Sequence, residues 1–187
     1  MTTAVPPAPE AEVLGARVRV GQPLHSAVLE WYDDEATLLD AGHTMDWVKL
    51  MAEDLVYRVP VRQNRLRDDP KSQFSDGMFQ YDENFTTLAM KVMRLATTAS
   101  PWAENPVSRT RRFVTNVKVY ETPAADEYRV ISSYLLTRSR YSESVPLVLT
   151  GERRDLLRSD GDGFKVAERY VLLDQTTLGF PNLAVFL

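Results

Sequence analysis

Apolar residues recur at helical spacing in three stretches of the first half of the chain. With about 100° of rotation per residue, the apolar side chains of Leu24–Ala41 gather on one side of a helix, and Gly42 suits its end. A shorter helix is predicted over Met45–Ala52. A third helix is predicted from an N-cap at Asp82 to Thr97, and its apolar residues again form one stripe.

The second half of the chain alternates between apolar and polar positions, which is typical of strands. Long antiparallel strands are predicted over Arg111–Glu121, Tyr128–Tyr141, Val145–Ser159 and Phe164–Asp174, and a short one over Asn182–Leu187. The turn Asp160-Gly161-Asp162-Gly163 predicts a hairpin between two of them. An earlier strand is predicted over Asp54–Val61, where Pro60 favours an edge or a bulge.

Two segments lack a sustained apolar period. Residues 1–23 are rich in proline and alanine and predict a flexible tail, in which Ala16–Val20 could form an extended arm. Residues 62–81 are polar and predict a long loop that either contacts a partner or moves. Residues 24–187 as a whole, including this loop, predict a single α+β domain in which one curved sheet wraps three helices.

The composition narrows the possible chemistry. Of the 187 residues, 44% are hydrophobic, which is enough for a packed core. The chain has no cysteine and two histidines, His25 and His43, which would lie roughly 27 Å apart along one helix. A cysteine-ligated cluster is therefore excluded, and a two-histidine iron site within this chain is disfavoured. The sequence shows neither a signal peptide nor a membrane-spanning segment, which favours the cytoplasm.

Glu35 falls in the middle of the apolar stripe of the first predicted helix, between Trp31 and Leu39. A buried carboxylate is costly unless it is protonated or paired. One hypothesis is a general acid or base with a raised pKa at the bottom of a cavity. The favoured hypothesis is a structural core acid, paired with a tyrosine hydroxyl or with a sheet arginine. The candidate arginines are Arg112, Arg138 and Arg153.

Asp46, Asp54 and Tyr57 form a second candidate set, because an aspartate beside a tyrosine can move a proton next to a carbonyl group. This spacing is common by chance, and the simpler interpretation is that Asp54 turns the helix–strand junction while Tyr57 packs. His25 and His43 are interpreted as solvated or capping residues.

Arginines and aromatic side chains are interleaved along the predicted strands. Such a set can form a platform for single-stranded nucleic acid, but acidic neighbours offset the charge and the formal net charge is -4. Arginine and tyrosine are also enriched at protein interfaces. A protein–protein surface is therefore the favoured interpretation. The residues are Arg109, Arg111, Arg112, Phe113, Tyr134, Arg138, Arg140, Tyr141, Arg153, Arg154 and Tyr170.

Five separated segments, in matching order over residues 24–187, carry a resemblance to a known family. They are WYDDEATLLD (31–40), Trp47–Pro60, PWAENPVSRTRRFVTNVKV (101–119), GERRDLLR (151–158) and LDQTTLGFPNLAVFL (173–187). The third is the most specific of them. Together they resemble the beta (small) subunit of bacterial aromatic-ring-hydroxylating dioxygenases.

The resemblance implies a cone-shaped, nuclear-transport-factor-like or cystatin-like fold, with three N-terminal helices on a strongly curved, mostly antiparallel sheet. It also implies a non-catalytic chain that trimerises and holds three alpha (large) subunits in an α3β3 hexamer. The alpha subunit would carry the Rieske [2Fe-2S] cluster and the mononuclear Fe(II), and would convert an aromatic compound to a cis-dihydrodiol. No cofactor is expected in this chain, its contact with ferredoxin and reductase would be indirect, and no nucleic acid or membrane partner is expected.

The resemblance implies no catalytic residue in this chain, so Glu35 is expected to be a core acid. Arg109, Arg111 and Asn116 are expected to organise the entry into the first long strand. Structural or interface roles are also expected for Trp102, Asn105, Arg138 and Arg153. Two alternatives are a stand-alone cone-fold isomerase or dehydratase that uses Asp54, Tyr57 or Glu35, and a small-ligand binding protein with an open cavity.

Overall fold

The computed structural model describes residues 14–97, 107–142, 144–179 and 185–187. Within these residues the strands are β1 (Arg17–Val18), β2 (Met51–Arg62), β3 (Phe74–Glu83), β4 (Arg109–Glu121), β5 (Glu127–Ser139), β6 (Leu147–Asp160) and β7 (Gly163–Leu173). The helices are α1 (Pro23–Asp40), α2 (Thr44–Trp47) and α3 (Phe85–Thr97), and a 3-10 turn covers Val48–Leu50.

The described strands form one sheet in the order β1-β4-β5-β6-β7-β2-β3. Strand β2 runs parallel to β7, and the other neighbouring pairs are antiparallel. Strands β6 and β7 meet in a tight hairpin in which Asp160 pairs with Gly163, and Gly161 has a φ of 60° that glycine adopts without steric cost. The predicted hairpin and the predicted α+β class with a mostly antiparallel sheet are confirmed.

The helices pack on one side of the sheet, α1 against β4 and β7 and α3 against β2. The buried face of α1 includes Val28, Trp31, Glu35 and Leu39, as the helical period predicts. Along β5 every second side chain from Val130 onwards is buried, and the intervening ones are half-buried, because successive side chains point to opposite faces of a sheet.

Two β-bulges change which positions face the helices. In β4 the pairing shifts between Thr115 and Lys118, and Asn116 has a φ of 55°, which asparagine tolerates better than most residues. In β7, Leu157 pairs with Val166 whereas Leu156 pairs with Glu168. Because each bulge inserts one residue, the positions that pack into the main core change from even to odd numbers along both strands, from Val114 to Val117 and from Val166 to Val171.

Pro60 also lies at a bulge, in the pairing of β2 with β3, as predicted. The boundary before β2 differs from the prediction, because α2 ends at Trp47 and β2 begins at Met51 rather than Asp54. Met51 pairs with Val166 of β7, so tertiary pairing draws residues assigned to the helix into the strand.

The prediction of a loop over residues 62–81 is wrong for its second half, where β3 pairs with β2. The register shifts twice within this pairing, which removes the simple alternation that identifies a strand. Asp82 is not an N-cap, because it lies in β3 and accepts a hydrogen bond from Arg58 at 2.8 Å. Asn84 caps α3 instead, since its Oδ1 accepts the Thr87 N–H at 2.9 Å.

The ends of the chain differ in how far they match the prediction. The extended arm over Ala16–Val20 is confirmed, since β1 pairs there with β4, while residues 1–13 lie outside the described residues. The strand predicted over Asn182–Leu187 is wrong at Val185–Leu187, which form no regular structure. Residues 182–184 lie outside the described residues.

Candidate functional site

A cluster of charged side chains fills the space between α1 and the sheet. Glu35 is 1% exposed and each of its oxygens accepts two hydrogen bonds. Oε1 accepts from Trp47 Nε1 at 3.1 Å and from Arg169 Nη1 at 2.5 Å. Oε2 accepts from Arg153 Nη2 at 2.9 Å and from Arg169 Nη2 at 3.2 Å. We define the core cluster as Glu35, Arg153, Asp155 and Arg169.

Asp155 is the second carboxylate of the core cluster. It lies directly opposite Arg169 in the pairing of β6 with β7, and it accepts hydrogen bonds from Nε and Nη2 of that residue, both at 2.9 Å. The hydroxyl of Tyr32 donates to Asp155 at 2.8 Å. The guanidinium of Arg153 lies over the ring of Tyr32, 4.7 Å from its centroid, which adds a cation–π contact. The two acids and two arginines thus balance in charge.

The electrostatics of the core cluster keep Glu35 ionised. Burial by itself raises the pKa of this carboxyl, but the charges of Arg169 and Arg153 outweigh burial and lower the pKa to about 2. At neutral pH Glu35 therefore has no proton to donate, and its oxygens are occupied by donors. This geometry favours the structural hypothesis for Glu35 over general acid–base catalysis, which needs a pKa near the working pH.

Arg169 of the core cluster and Tyr32 beside it also have shifted pKa values. Burial lowers the pKa of Arg169, but Asp155 and Glu35 more than compensate and raise it well above its ordinary value. For Tyr32, burial and the charge of Asp155 raise the pKa of the hydroxyl well above its ordinary value. The tyrosine is consequently a neutral donor to Asp155.

The three arginines considered from sequence as partners of Glu35 have different contacts. Arg153 does bond Glu35, whereas Arg112 forms an ion pair with Asp40 at 2.5 Å. Arg138 is buried and donates to Ser108 Oγ at 2.8 Å. Arg169, which was not among the predicted partners, makes two of the four hydrogen bonds to Glu35. Strict alternation from Phe164 and Val166 places position 169 on the outer face, and the bulge in β7 reverses that.

The second candidate set does not assemble into a catalytic group. Asp54 is exposed and binds Arg158 at 2.9 Å, a hydrogen bond that lowers the pKa of its carboxyl. Asp46 pairs with Lys49 at 2.7 Å on the surface. Tyr57 is buried, and its hydroxyl donates to the carbonyl of Leu187 at 2.7 Å. Burial raises the pKa of Tyr57, and its hydroxyl bonds the main chain of Leu187 rather than Asp46 or Asp54.

The two histidines have different surroundings. His43 is exposed at the start of α2, whereas His25 is buried, with Nε2 3.3 Å from the carbonyl oxygen of Val117. The interpretation of His25 as a solvated residue is wrong, because the α1 stripe extends back to it. Among the described residues, no three histidine, aspartate or glutamate side chains are grouped so that they could hold a metal ion. No described helix is both long and apolar enough to cross a bilayer.

The remaining sequence-predicted residues lie at the strand ends or outside the described residues. Arg109 is exposed and donates to the carbonyl of Tyr141 at 3.0 Å. Arg111 is exposed, with Nη1 4.0 Å from a carboxylate oxygen of Asp40. Asn116 occupies the bulge of β4 and donates to Ser133 Oγ at 3.0 Å. Trp102 and Asn105 lie outside the described residues.

Exposed apolar side chains gather on the outer face of β4–β6 and on the loop beside it. Phe113 is 50% exposed and Val148 is 48% exposed, and Phe113 pairs across the strands with Leu135. We define the outer patch as Phe113, Leu135, Tyr141, Val145 and Val148. Contiguous exposed apolar surface of this kind marks interaction sites more often than isolated residues do.

The loop over residues 63–73 is held by its own side chains. Arg65 donates to the carbonyl of Ser72 at 2.5 Å, to Asp69 at 3.1 Å and to Gln63 at 2.5 Å. Leu66 projects from this loop and is 86% exposed. A single exposed leucine is ordinary on a protein surface, so this loop carries less apolar surface than the outer patch.

Comparison with known sequences shows which proteins the chain is similar to. A family model described as the ring-hydroxylating beta subunit matches residues 34–179. The chain is 33% identical to the benzene 1,2-dioxygenase subunit beta of Pseudomonas putida over 89% of this chain and 90% of that one. It is 32% identical to the biphenyl 2,3-dioxygenase subunit beta of Rhodococcus jostii, over 87% of this chain and 88% of the other.

Solved structures agree with these relatives. A chain of naphthalene 1,2-dioxygenase with indole in its active site matches with a TM-score of 0.77 and 26% identity, over 87% of this chain and 84% of that one. A scytalone dehydratase from Novosphingobium aromaticivorans, named as such only provisionally, matches at 15% identity with a TM-score of 0.56, over 81% and 85% of the two chains. That likeness concerns the cone-shaped fold alone and confirms its prediction. Taken with the match over residues 34–179, these findings show that the chain belongs to the family of ring-hydroxylating dioxygenase beta subunits.

Proposed function

We propose that this chain is the non-catalytic beta subunit of an aromatic-ring dioxygenase and that it holds three alpha subunits in an α3β3 hexamer. The observation that carries the proposal is the core cluster, in which Glu35 is ionised and fully hydrogen-bonded. A cone-fold enzyme needs a reachable acid or base in this interior. Here the same interior is used to fasten α1 to β6 and β7, which suits a rigid structural subunit.

The chemistry of the proposed complex belongs to the alpha subunit. A Rieske [2Fe-2S] centre needs two cysteine thiolates as ligands. The chain contains no cysteine, so it cannot supply them. The alpha subunit would hold the Rieske [2Fe-2S] cluster and the Fe(II), and would receive NAD(P)H-derived electrons through a ferredoxin and reductase in the cytoplasm. The names of the relatives support a benzene- or biphenyl-like aromatic substrate.

The outer patch is the proposed contact with neighbouring subunits. It crosses three strands of a rigid sheet, and Phe113, Tyr141 and Val148 are each about half exposed or more. Arg109 and Arg111 lie at its border, and arginine and aromatic residues are enriched where proteins associate. A rigid sheet surface also loses little conformational entropy when it binds.

Co-expression of the chain with an alpha subunit of a ring-hydroxylating dioxygenase from the same genome tests the assembly. Native mass spectrometry should find three copies of each subunit, and iron and dihydroxylation of the aromatic substrate should require the alpha subunit. The purified chain alone should hold no stoichiometric iron and should neither isomerise dienones nor dehydrate scytalone-like substrates. Turnover or iron retention by the chain alone would falsify the proposal.

The outer patch is tested with the substitution Phe113→Asp and the matched control Leu66→Asp, since both place a carboxylate at an exposed apolar position. Phe113→Asp should weaken assembly at least about tenfold, because it desolvates an unpaired charge in the contact, while Leu66→Asp leaves assembly unchanged. Sedimentation of the co-expressed complex measures this, and circular dichroism verifies that both variants are folded. Equal hexamer formation by both folded variants would contradict the assignment of the patch but not of the family.

A further inference from the structure

The segment Val185–Leu187 lies in the interior of the cone without belonging to its sheet. All three residues are buried, yet none has regular secondary structure. Among the described residues, their backbone groups are bonded by side chains and not by other backbone groups. Side-chain donors and acceptors also hold bound ligands in proteins, whereas paired strands are joined by backbone-to-backbone hydrogen bonds.

The contacts to the segment come from four different strands. Tyr57 on β2 donates its hydroxyl to the Leu187 carbonyl at 2.7 Å and accepts the Leu187 N–H at 2.9 Å. Tyr81 on β3 donates to the Val185 carbonyl at 3.2 Å, and Arg112 on β4 donates to the Phe186 carbonyl at 2.7 Å. From the fourth strand, β7, Arg169 Nη1 lies 3.4 Å from the Leu187 carbonyl oxygen.

The side chain of Phe186 occupies an aromatic slot. Its ring stacks on Trp47 with centroids 4.9 Å apart and an interplanar angle of 26°. Tyr57 meets the same Trp47 edge-on, with ring centroids 6.5 Å apart, so the three rings form one aromatic group centred on Trp47. Phe186 also borders a cavity of about 390 Å³ that is lined by Leu39 and Leu95 as well. Phe186 therefore contacts Trp47 and also lines this cavity.

We propose that the interior of the cone is a site of the kind that binds small molecules. The chain's own segment Val185–Leu187 occupies this site as an intramolecular plug. The slot of Phe186 suits one planar aromatic ring, because Trp47 stacks on that ring and buried donors, the Tyr57 hydroxyl and the Arg112 guanidinium, bond the adjoining backbone. The plug fills the part of the interior beside Trp47, where such a ring would otherwise bind. This proposal is independent of the proposed subunit assembly, so either one can be disproved while the other remains valid.

The substitution Phe186→Ala in the full chain tests the proposal, with benzene and indole as probes. The control is Leu66→Ala, which truncates an apolar side chain that is 86% exposed and lies outside the outer patch. An apolar cavity of ring size binds such probes. Saturating benzene should raise the melting temperature of the folded Phe186→Ala variant by about 5 °C or more, and it should quench or shift the fluorescence of Trp47. The wild type and the control should show neither change.

Two results would overturn the proposal. An equal response of the wild type would mean that the interior is already open, and no response of a folded Phe186→Ala variant would mean that the slot is not a ligand-type site. If that variant does not fold, the substitution Tyr57→Phe decides, because it removes both hydrogen bonds to Leu187 and keeps the ring.

Hydrogen exchange reads out the Tyr57→Phe variant. A plug held by side chains should open locally, so the amides of Phe186 and Leu187 should exchange at least about tenfold faster while the amide of Leu157 in β6 keeps its wild-type rate. Equal acceleration at Leu157, or no acceleration at Phe186 and Leu187, would show that the segment is an inseparable part of the core and would overturn the proposal.

Discussion

Two groups of ion pairs in this protein have similar distances and different environments. In the core cluster, Arg169 approaches Glu35 at 2.5 Å and Asp155 at 2.9 Å, and all these side chains are at most 1% exposed. On the surface, Arg158 approaches Asp54 at 2.9 Å and Glu127 at 2.8 Å, and the side chains of Arg158 and Asp54 are 34% and 63% exposed. We define the surface cluster as Asp54, Glu127 and Arg158.

The comparison teaches that distance does not measure the importance of an ion pair. Water already solvates the charges of the surface cluster, so breaking a pair there exchanges one favourable contact for another. In the core cluster each charge has lost its water and depends on its protein partners, so that removing one partner leaves a buried charge uncompensated. Substitutions in the two clusters should therefore separate by several kcal/mol.

The largest effect is expected for Glu35→Ala. The change leaves Arg153 and Arg169 with Asp155 as the single remaining acid of the core cluster, and we expect a loss of about 3–5 kcal/mol in the free energy of unfolding. Urea unfolding at neutral pH measures the loss. Glu30→Ala is the matched control, because Glu30 is exposed on the same helix and should change stability by less than about 0.5 kcal/mol. Equal effects of the two changes would refute the distinction between the clusters.

A smaller effect is expected from acid. The pKa of Glu35 is about 2 in the folded chain, below its ordinary value of 4.5, so the unfolded chain binds the proton first as pH falls. The contribution of this group is complete above pH 4.5 and is lost as pH falls toward 2, and it amounts to about 3 kcal/mol. Urea unfolding between pH 6 and pH 2.5 should show the decline. If the Glu35→Gln variant has the same pH slope over this range, the decline has another origin.

Tyr32→Phe should have an intermediate effect. It removes the hydroxyl that donates to Asp155 at 2.8 Å, but two bonds from Arg169 to that carboxylate remain. We expect a loss of about 2 kcal/mol in the free energy of unfolding. Tyr128→Phe is the control, since its hydroxyl bonds an exposed carbonyl at 3.3 Å and its loss should be small. A Tyr32→Phe variant as stable as the control would mean that Asp155 does not need this donor.

The smallest effect is expected for Asp54→Asn in the surface cluster. Arg158 keeps its bond to Glu127 and gains water in place of the aspartate, so stability should fall by less than about 1 kcal/mol. In 0.5 M sodium chloride the Debye length is roughly 4 Å, so salt screens these exposed charges. The difference in unfolding free energy between the variant and the wild type should therefore be smaller still. A loss as large as that of Glu35→Ala would show that exposure does not decide the strength of these pairs.

The burial of Glu35 could be predicted because an α-helix has a regular period. Its position between Trp31 and Leu39 places it on the buried face of α1 whatever the rest of the chain does. Its partners could not be predicted in the same way. Arg153 was one of three equivalent candidates. Arg169 points into the core because of the bulge in β7, and no local sequence pattern predicts that bulge.

The polar segment 62–81 shows the same limit. Strand β3 lies within it, but its pairing with β2 is interrupted by two register shifts, so its apolar residues do not alternate. The N-cap at Asn84 was also missed, because Asp82 is an equally good capping residue by type. The choice between them is made by Arg58, which holds Asp82 in the strand.

The sequence by itself determined the α+β class, the helical stripe that buries Glu35, the β6–β7 hairpin and the absence of thiolate ligands for iron. Each of these depends on residue type or on local periodicity. Only the tertiary structure decided which arginines neutralise Glu35, that Asp54 and Tyr57 lie in different environments, and that Val185–Leu187 fill the interior instead of forming a strand. These depend on strand register, bulges and contacts between residues far apart in the chain, where a shift of one residue moves a side chain to the opposite face of the sheet.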